Sequence, residues 1–74
     1  MIEHRNLVII PTYNEKENIS DIIDAVFKLP VPFEILIVDD GSPDGTAQIV
    51  KDLQKVYYRK LFLIEREGKL GLGT

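Results

Sequence analysis

The sequence predicts an α/β fold built on a three-stranded parallel sheet in β-α-β-α-β order. Three short runs, Leu7 to Ile10, Glu34 to Val38 and Leu61 to Ile64, are dominated by apolar and β-branched residues without strict alternation, as in strands buried on both faces. Between them lie two stretches whose apolar residues recur at helical spacing. Helical crossovers of this length join parallel strands with a right-handed turn, which predicts an open sheet with helices packed on its faces.

Each element has its own signature. The first strand, Leu7 to Ile10, is stopped by Pro11, which donates no ladder hydrogen bond and so belongs at a strand end. Asn14 is a cap for the following helix, with Glu15 and Glu17 placing negative charge where the helix dipole favours it. Ile19, Ile22, Ile23, Val26 and Phe27 then form one apolar stripe, and Pro30 and Pro32 end the helix. The second strand, Glu34 to Val38, runs into Asp39 and Asp40, followed by the turn cluster Gly41 to Gly45. A second helix starts near Thr46, turning Ala47, Ile49, Val50, Leu53 and either Val56 or Tyr57 inward. Leu61 to Ile64 is the third strand, with the first strand on one side of the sheet and the third on the other.

The bulk numbers bound the rest. The 74 residues make one domain, residues 1–74. A chain of this size buries only about 60% of the surface that its unfolded form exposes. A formal charge of -3 argues against a nucleic-acid partner, whose binding face is basic. With no cysteine and one histidine, His4, there is no disulfide and no zinc site. No apolar run approaches the roughly 20 residues of a membrane span. Gly71-Leu72-Gly73 matches neither common phosphate-loop spacing, and the first strand-to-helix turn lacks glycine, which counts against a dinucleotide-binding domain. Lys51, Lys55, Arg59 and Lys60 read as a solvated face.

In open α/β sheets, ligands bind beyond the carboxyl ends of the strands. Two polar clusters fall there: Pro11 to Glu15 after the first strand, and Asp39-Asp40 after the second. Tyr13 offers a ring for stacking on a base, while Glu15 and Asp40 are acceptors suited to ribose hydroxyls and base N–H groups. Each also has a plainer reading: packing for Tyr13, the helix N-terminus for Glu15, and turn or capping roles for the aspartates. Two adjacent carboxylates crowd one position and repel unless donors, metal or ligand offset them. Asp44, in Ser42-Pro43-Asp44-Gly45, reads as a turn or cap residue.

The runs Ile9-Ile10-Pro11-Thr12-Tyr13-Asn14-Glu15, Ile37-Val38-Asp39-Asp40-Gly41-Ser42-Pro43-Asp44-Gly45-Thr46 and Lys69-Leu70-Gly71-Leu72-Gly73-Thr74 together resemble the dolichol-phosphate mannosyltransferase group, within the family 2 glycosyltransferases of GT-A (Rossmann-like) fold. The resemblance spans Leu7 to Thr74. It implies transfer of a sugar, typically mannose from GDP-mannose, to a polyprenyl phosphate at the cytoplasmic face of a membrane; the ring and carboxylates themselves suit GDP-mannose and UDP-glucose alike. It implies that Pro11, Tyr13, Glu15, Val38 and Asp40 line the nucleotide pocket, with Asp39 secondary, and that the Lys69 to Thr74 tail leads into a helix beside the donor site. It also places the Mg2+- or Mn2+-binding Asp-x-Asp motif after a fourth strand, beyond Thr74, so that Asp39-Asp40 is not that motif. On this reading the chain is the N-terminal, nucleotide-sugar-binding portion of the domain, holds no metal and is inactive alone. Its uncovered strand edge and apolar surfaces favour self-association. The alternative is a non-catalytic nucleotide-binding or interaction module of α/β fold.

Overall fold

The computed structural model describes residues 6–67; His4 and the Lys69 to Thr74 tail lie outside them. The elements are β1 (Asn6–Thr12), α1 (Ile19–Phe27), β2 (Phe33–Asp39), α2 (Thr46–Gln54) and β3 (Leu61–Glu65). All three strands are parallel, in the order β1-β2-β3. Ile9 pairs with Leu36 and Leu36 with Phe62; Pro11 pairs with Val38 and Val38 with Ile64.

Both helices cover the same face of the sheet. The core is Ile19 and Ile23 of α1, Ile35 and Ile37 of β2, Val50 of α2 and Leu61 of β3, all buried. Ile10, Leu63, Ile49 and Leu53 pack against it. The helices also meet each other: Phe27 stacks on Tyr57 with ring centroids 4.3 Å apart, and the Tyr57 hydroxyl donates to Asp24 at 2.6 Å. Tyr57 is therefore the inward residue of the pair considered above, while Val56 is exposed.

The opposite face corrects the expectation of strands buried on both sides. Leu7, Ile9, Phe62 and Ile64 are exposed, and Leu36 and Val38 are half-buried. The physical reason lies in the topology. Two right-handed crossovers that step in the same direction along a sheet put both helices on one face.

Two further details differ from the sequence reading. β1 continues through Pro11 to Thr12. The Thr12 carbonyl accepts from the Asp40 N–H at 3.0 Å, so Thr12 faces β2 and the neighbouring Pro11 turns its missing donor to the open edge, where proline is tolerated. Asn14 does not cap α1. It sits in the left-handed region, at φ 57°, and the helix begins at Ile19 after Asn18. The turn between is closed by the Glu15 carbonyl, which accepts from the N–H groups of Asn18 (2.9 Å) and Ile19 (2.8 Å).

Candidate functional site

Because the strands are parallel, the loops after β1 and β2 emerge at the same lip of the sheet. Side chains of the second loop hold the backbone of the first. The N–H of Asn14 donates to the Ser42 hydroxyl at 2.8 Å, that of Glu15 to the Thr46 hydroxyl at 3.0 Å, and that of Lys16 to the Asp44 carboxylate at 3.1 Å. Three consecutive amides are thus satisfied across a separation of about thirty residues in sequence. The loop carrying Tyr13 and Glu15 is thereby tied to the tip of β2.

Asp39 and Asp44 anchor the side chains that do this. Asp39 is 1% exposed and accepts from the Thr12 hydroxyl (2.7 Å), the Ser42 hydroxyl (2.7 Å) and the Ser42 N–H (2.9 Å). Burial pushes its carboxyl up, but the bonds from Ser42 and Thr12 outweigh burial and hold it below the usual carboxylate range. Asp44 accepts from the hydroxyl and N–H of Thr46. The Thr46 hydroxyl, with help from the Lys16 N–H, keeps the Asp44 carboxyl low as well. Asp44 is therefore a turn residue, as its sequence context indicates, and in addition a bridge to the first loop. Gly41 and Gly45 close the turn at φ 73° and 95°, a region that disfavours residues with a Cβ.

The two adjacent aspartates do not crowd each other as their adjacency suggests. Successive residues of a strand point to opposite faces. Asp39 lies on the helix-covered face with Ile35 and Ile37, and its charge is met by donors. Asp40 lies on the open face with Val38, half-buried, where its Oδ1 accepts from Arg66 Nε at 2.6 Å.

Of the residues singled out in the sequence, Pro11, Val38 and Asp40 share the open face at the lip. Tyr13, 44% exposed, follows at the end of β1, and Glu15 sits half-buried in the clamped loop. Asp39 belongs beneath the loop. Thr12, Ser42, Thr46 and Arg66 were not singled out as site residues. For Ser42 and Thr46 the available signal was a hydroxyl in an aspartate-rich turn, for Thr12 a hydroxyl at the end of the first strand, and for Arg66 a cation directly past a strand. Among the described residues, no group of three or more His, Asp or Glu side chains could hold a metal ion. Asp39 and Asp44 are occupied by hydroxyl and amide donors, so neither of these two described carboxylates is set up as a metal ligand.

A parallel β-α-β-α-β sheet with two clamped loops at its carboxyl lip defines a Rossmann-like α/β unit. Residues 7–74 match Glycosyl transferase family 2, and the chain belongs to that family. It is 45% identical over 70 residues to the polyprenol monophosphomannose synthase of Mycolicibacterium smegmatis, covering 95% of this chain and 26% of that protein. It is 44% identical over 63 residues to glycosyltransferase AglE of Haloferax volcanii, covering 81% of this chain and 21% of that protein. Among solved structures, a mannosyltransferase from Pyrobaculum calidifontis in complex with GDP-Man and Mn2+ superposes with a TM-score of 0.80 at 32% identity, over 92% of this chain and 21% of that one. The chain thus spans about a quarter or less of the length of the relatives it matches.

Proposed function

We propose that this chain forms the nucleoside-binding part of the donor site of a glycosyltransferase, residues 1–74 being the N-terminal portion of its catalytic domain. The whole protein, on this reading, transfers mannose from GDP-mannose to a polyprenyl phosphate at the cytoplasmic face of a membrane. One observation carries the proposal: the clamped Tyr13–Glu15 loop and the open-face carboxylate of Asp40 share one lip, in a chain similar to a mannosyltransferase solved with GDP-Man.

Each residue then has a defined task. Tyr13 stacks on the base, Glu15 accepts from ribose hydroxyls, and Asp40 accepts from a base N–H. Pro11 and Val38, neighbours in register, form an apolar floor beneath the nucleoside. Asp39 acts indirectly, by holding Ser42 and through it the loop. The described residues carry no bond-breaking role and do not fit a metal, so the Mn2+ or Mg2+ of the reaction belongs to ligands elsewhere in the protein. No described helix is long and apolar enough to cross a membrane, so attachment at the bilayer also rests on other segments or partners. The open β1 edge and the bare apolar sheet face further support self-association of the isolated chain.

Calorimetric titration with GDP-mannose and UDP-glucose, with and without Mn2+, tests this reading. GDP-mannose is expected to bind, and Tyr13→Ala to weaken it by about 1–3 kcal/mol, the contribution of one base–aromatic stack. Absence of binding by the folded protein, or equal affinity in the Tyr13 variant, overturns the assignment.

A further inference from the structure

We propose that Arg66 is a positioning residue for nucleoside recognition: it holds the Asp40 carboxylate in the orientation that reads the base. The proposal rests on the donor-site reading above and adds a residue to it. The parallel ladder continues one step past the strands, since the Asp40 N–H donates to the Thr12 carbonyl at 3.0 Å and the Arg66 N–H to the Asp39 carbonyl at 2.8 Å. In register, Pro11, Val38 and Ile64 form one row of the open face. With side chains alternating along each strand, the next same-face positions are Asp40 on the central strand and Arg66 on its neighbour. Arg66 Nε then donates to Asp40 Oδ1 at 2.6 Å, a short charge-assisted bond.

The pair is unequal in a way that suits this role. The Arg66 side chain is 61% exposed and that of Asp40 only 27%. The arginine reaches in from solvent while the carboxylate is seated in the lip. An ion pair this exposed adds little to stability. Its larger effect is on order, because fixing a side chain before the ligand arrives removes part of the entropic cost of binding. Without Arg66, Asp40 keeps its charge but loses the bond that fixes its Oδ1.

The test compares Arg66→Met, Arg66→Lys and Asp40→Asn in the full chain, titrated with guanosine and with GDP-mannose alongside thermal melting. Arg66→Met is expected to weaken both ligands by the same factor, roughly fivefold to tenfold, from the ordering cost of one side chain. Its melting temperature should stay close to that of the unaltered chain. Arg66→Lys should recover part of the affinity, and adding Arg66→Met to Asp40→Asn should cost nothing further, because both act on one contact. Three results overturn the proposal. Unchanged affinity in Arg66→Met, while Asp40→Asn binds weakly, removes Arg66 alone. Weakening confined to GDP-mannose means that Arg66 acts on the diphosphate instead. Failure of the unaltered chain to bind either ligand removes the nucleoside reading itself.

Discussion

Replacing Asp39 with asparagine separates the loop clamp from the ligand lip. The substitution keeps the shape of the side chain but removes its charge and turns one acceptor into a donor. In the native loop, the carboxylate receives the Thr12 and Ser42 hydroxyls, each at 2.7 Å, and the Ser42 N–H at 2.9 Å. Hydroxyls can rotate to a new acceptor, but a backbone N–H cannot. If the asparagine oxygen stays with the hydroxyls, its NH2 group faces the Ser42 N–H and two donors meet. Leaving one such part-buried donor unsatisfied costs about 1–3 kcal/mol. Bonds to a charged group contribute about 1.5–3 kcal/mol and those to a neutral one about 0.5–1.5, so weakening the remaining two adds about 1 kcal/mol or more. The expected loss is therefore about 2–4 kcal/mol. In a domain of 60–100 residues each kcal/mol moves the melting temperature by about 4–8 °C, which gives a fall of roughly 8–32 °C. Asp40→Asn, one residue along, breaks an exposed ion pair worth about 0–1 kcal/mol and should shift melting by no more than about 8 °C. Thermal and urea denaturation followed by circular dichroism measures both. Equal losses for the two variants would refute the assignment of the neighbouring carboxylates to opposite faces with different tasks.

Other outcomes follow from the same geometry. The Asp39 and Asp44 carboxyls titrate below their ordinary value of 3.8, so the stability they contribute is fully present above that value and disappears as pH falls through the lower folded-state values. Urea midpoints should therefore be level near neutrality and drop steeply below about pH 4, with a shallower drop in Asp39→Asn. Gly45→Ala should cost about 1–2 kcal/mol in chemical denaturation, all of it from the backbone, since φ is 95° and an added Cβ meets nothing within 4 Å. Gly45→Asn should cost less, because asparagine tolerates the left-handed region. Leu7→Lys and Ile9→Lys place charge on exposed positions of the open edge strand. Both should shift the isolated chain toward monomer in sedimentation velocity; unchanged association in both would argue against pairing through that edge.

The order and type of the five elements were legible because each apolar run carries its own period. Ile19 and Ile23 are at helical spacing, whereas Ile35 and Ile37 lie on one face of a strand. Element ends were less legible where a local signal competed with a longer-range one. Pro11 reads as a stop, yet its missing N–H faces the open edge and the ladder resumes at Thr12. Asn14 reads as a cap, yet its amide is claimed by Ser42 and its backbone turns left-handed, which delays the helix to Ile19. The placement of both helices on one face follows from applying the handedness rule twice in the same direction. Apolar composition of the strands points the other way, because it does not record which face is covered.

The candidate site shows the same division. Tyr13, Glu15 and Asp40 were legible as lip residues because strand ends in a parallel sheet are where ligands go. The clamp was not, because backbone amides accept any suitable oxygen and leave no residue-type signature at the positions they belong to. Asn14, Glu15 and Lys16 are held through atoms that every non-proline residue possesses. The informative residues were on the other loop, where Ser42, Asp44 and Thr46 read as ordinary turn chemistry. The Asp39-Asp40 pair unites both cases. Its adjacency suggests two like charges competing for one place, but the pleat sends the first into a buried nest of hydroxyl and amide donors and the second to the open face beside Arg66. Anchoring the loop and facing the open side of the lip are thus positions that the strand's alternation divides between neighbouring residues of the same type.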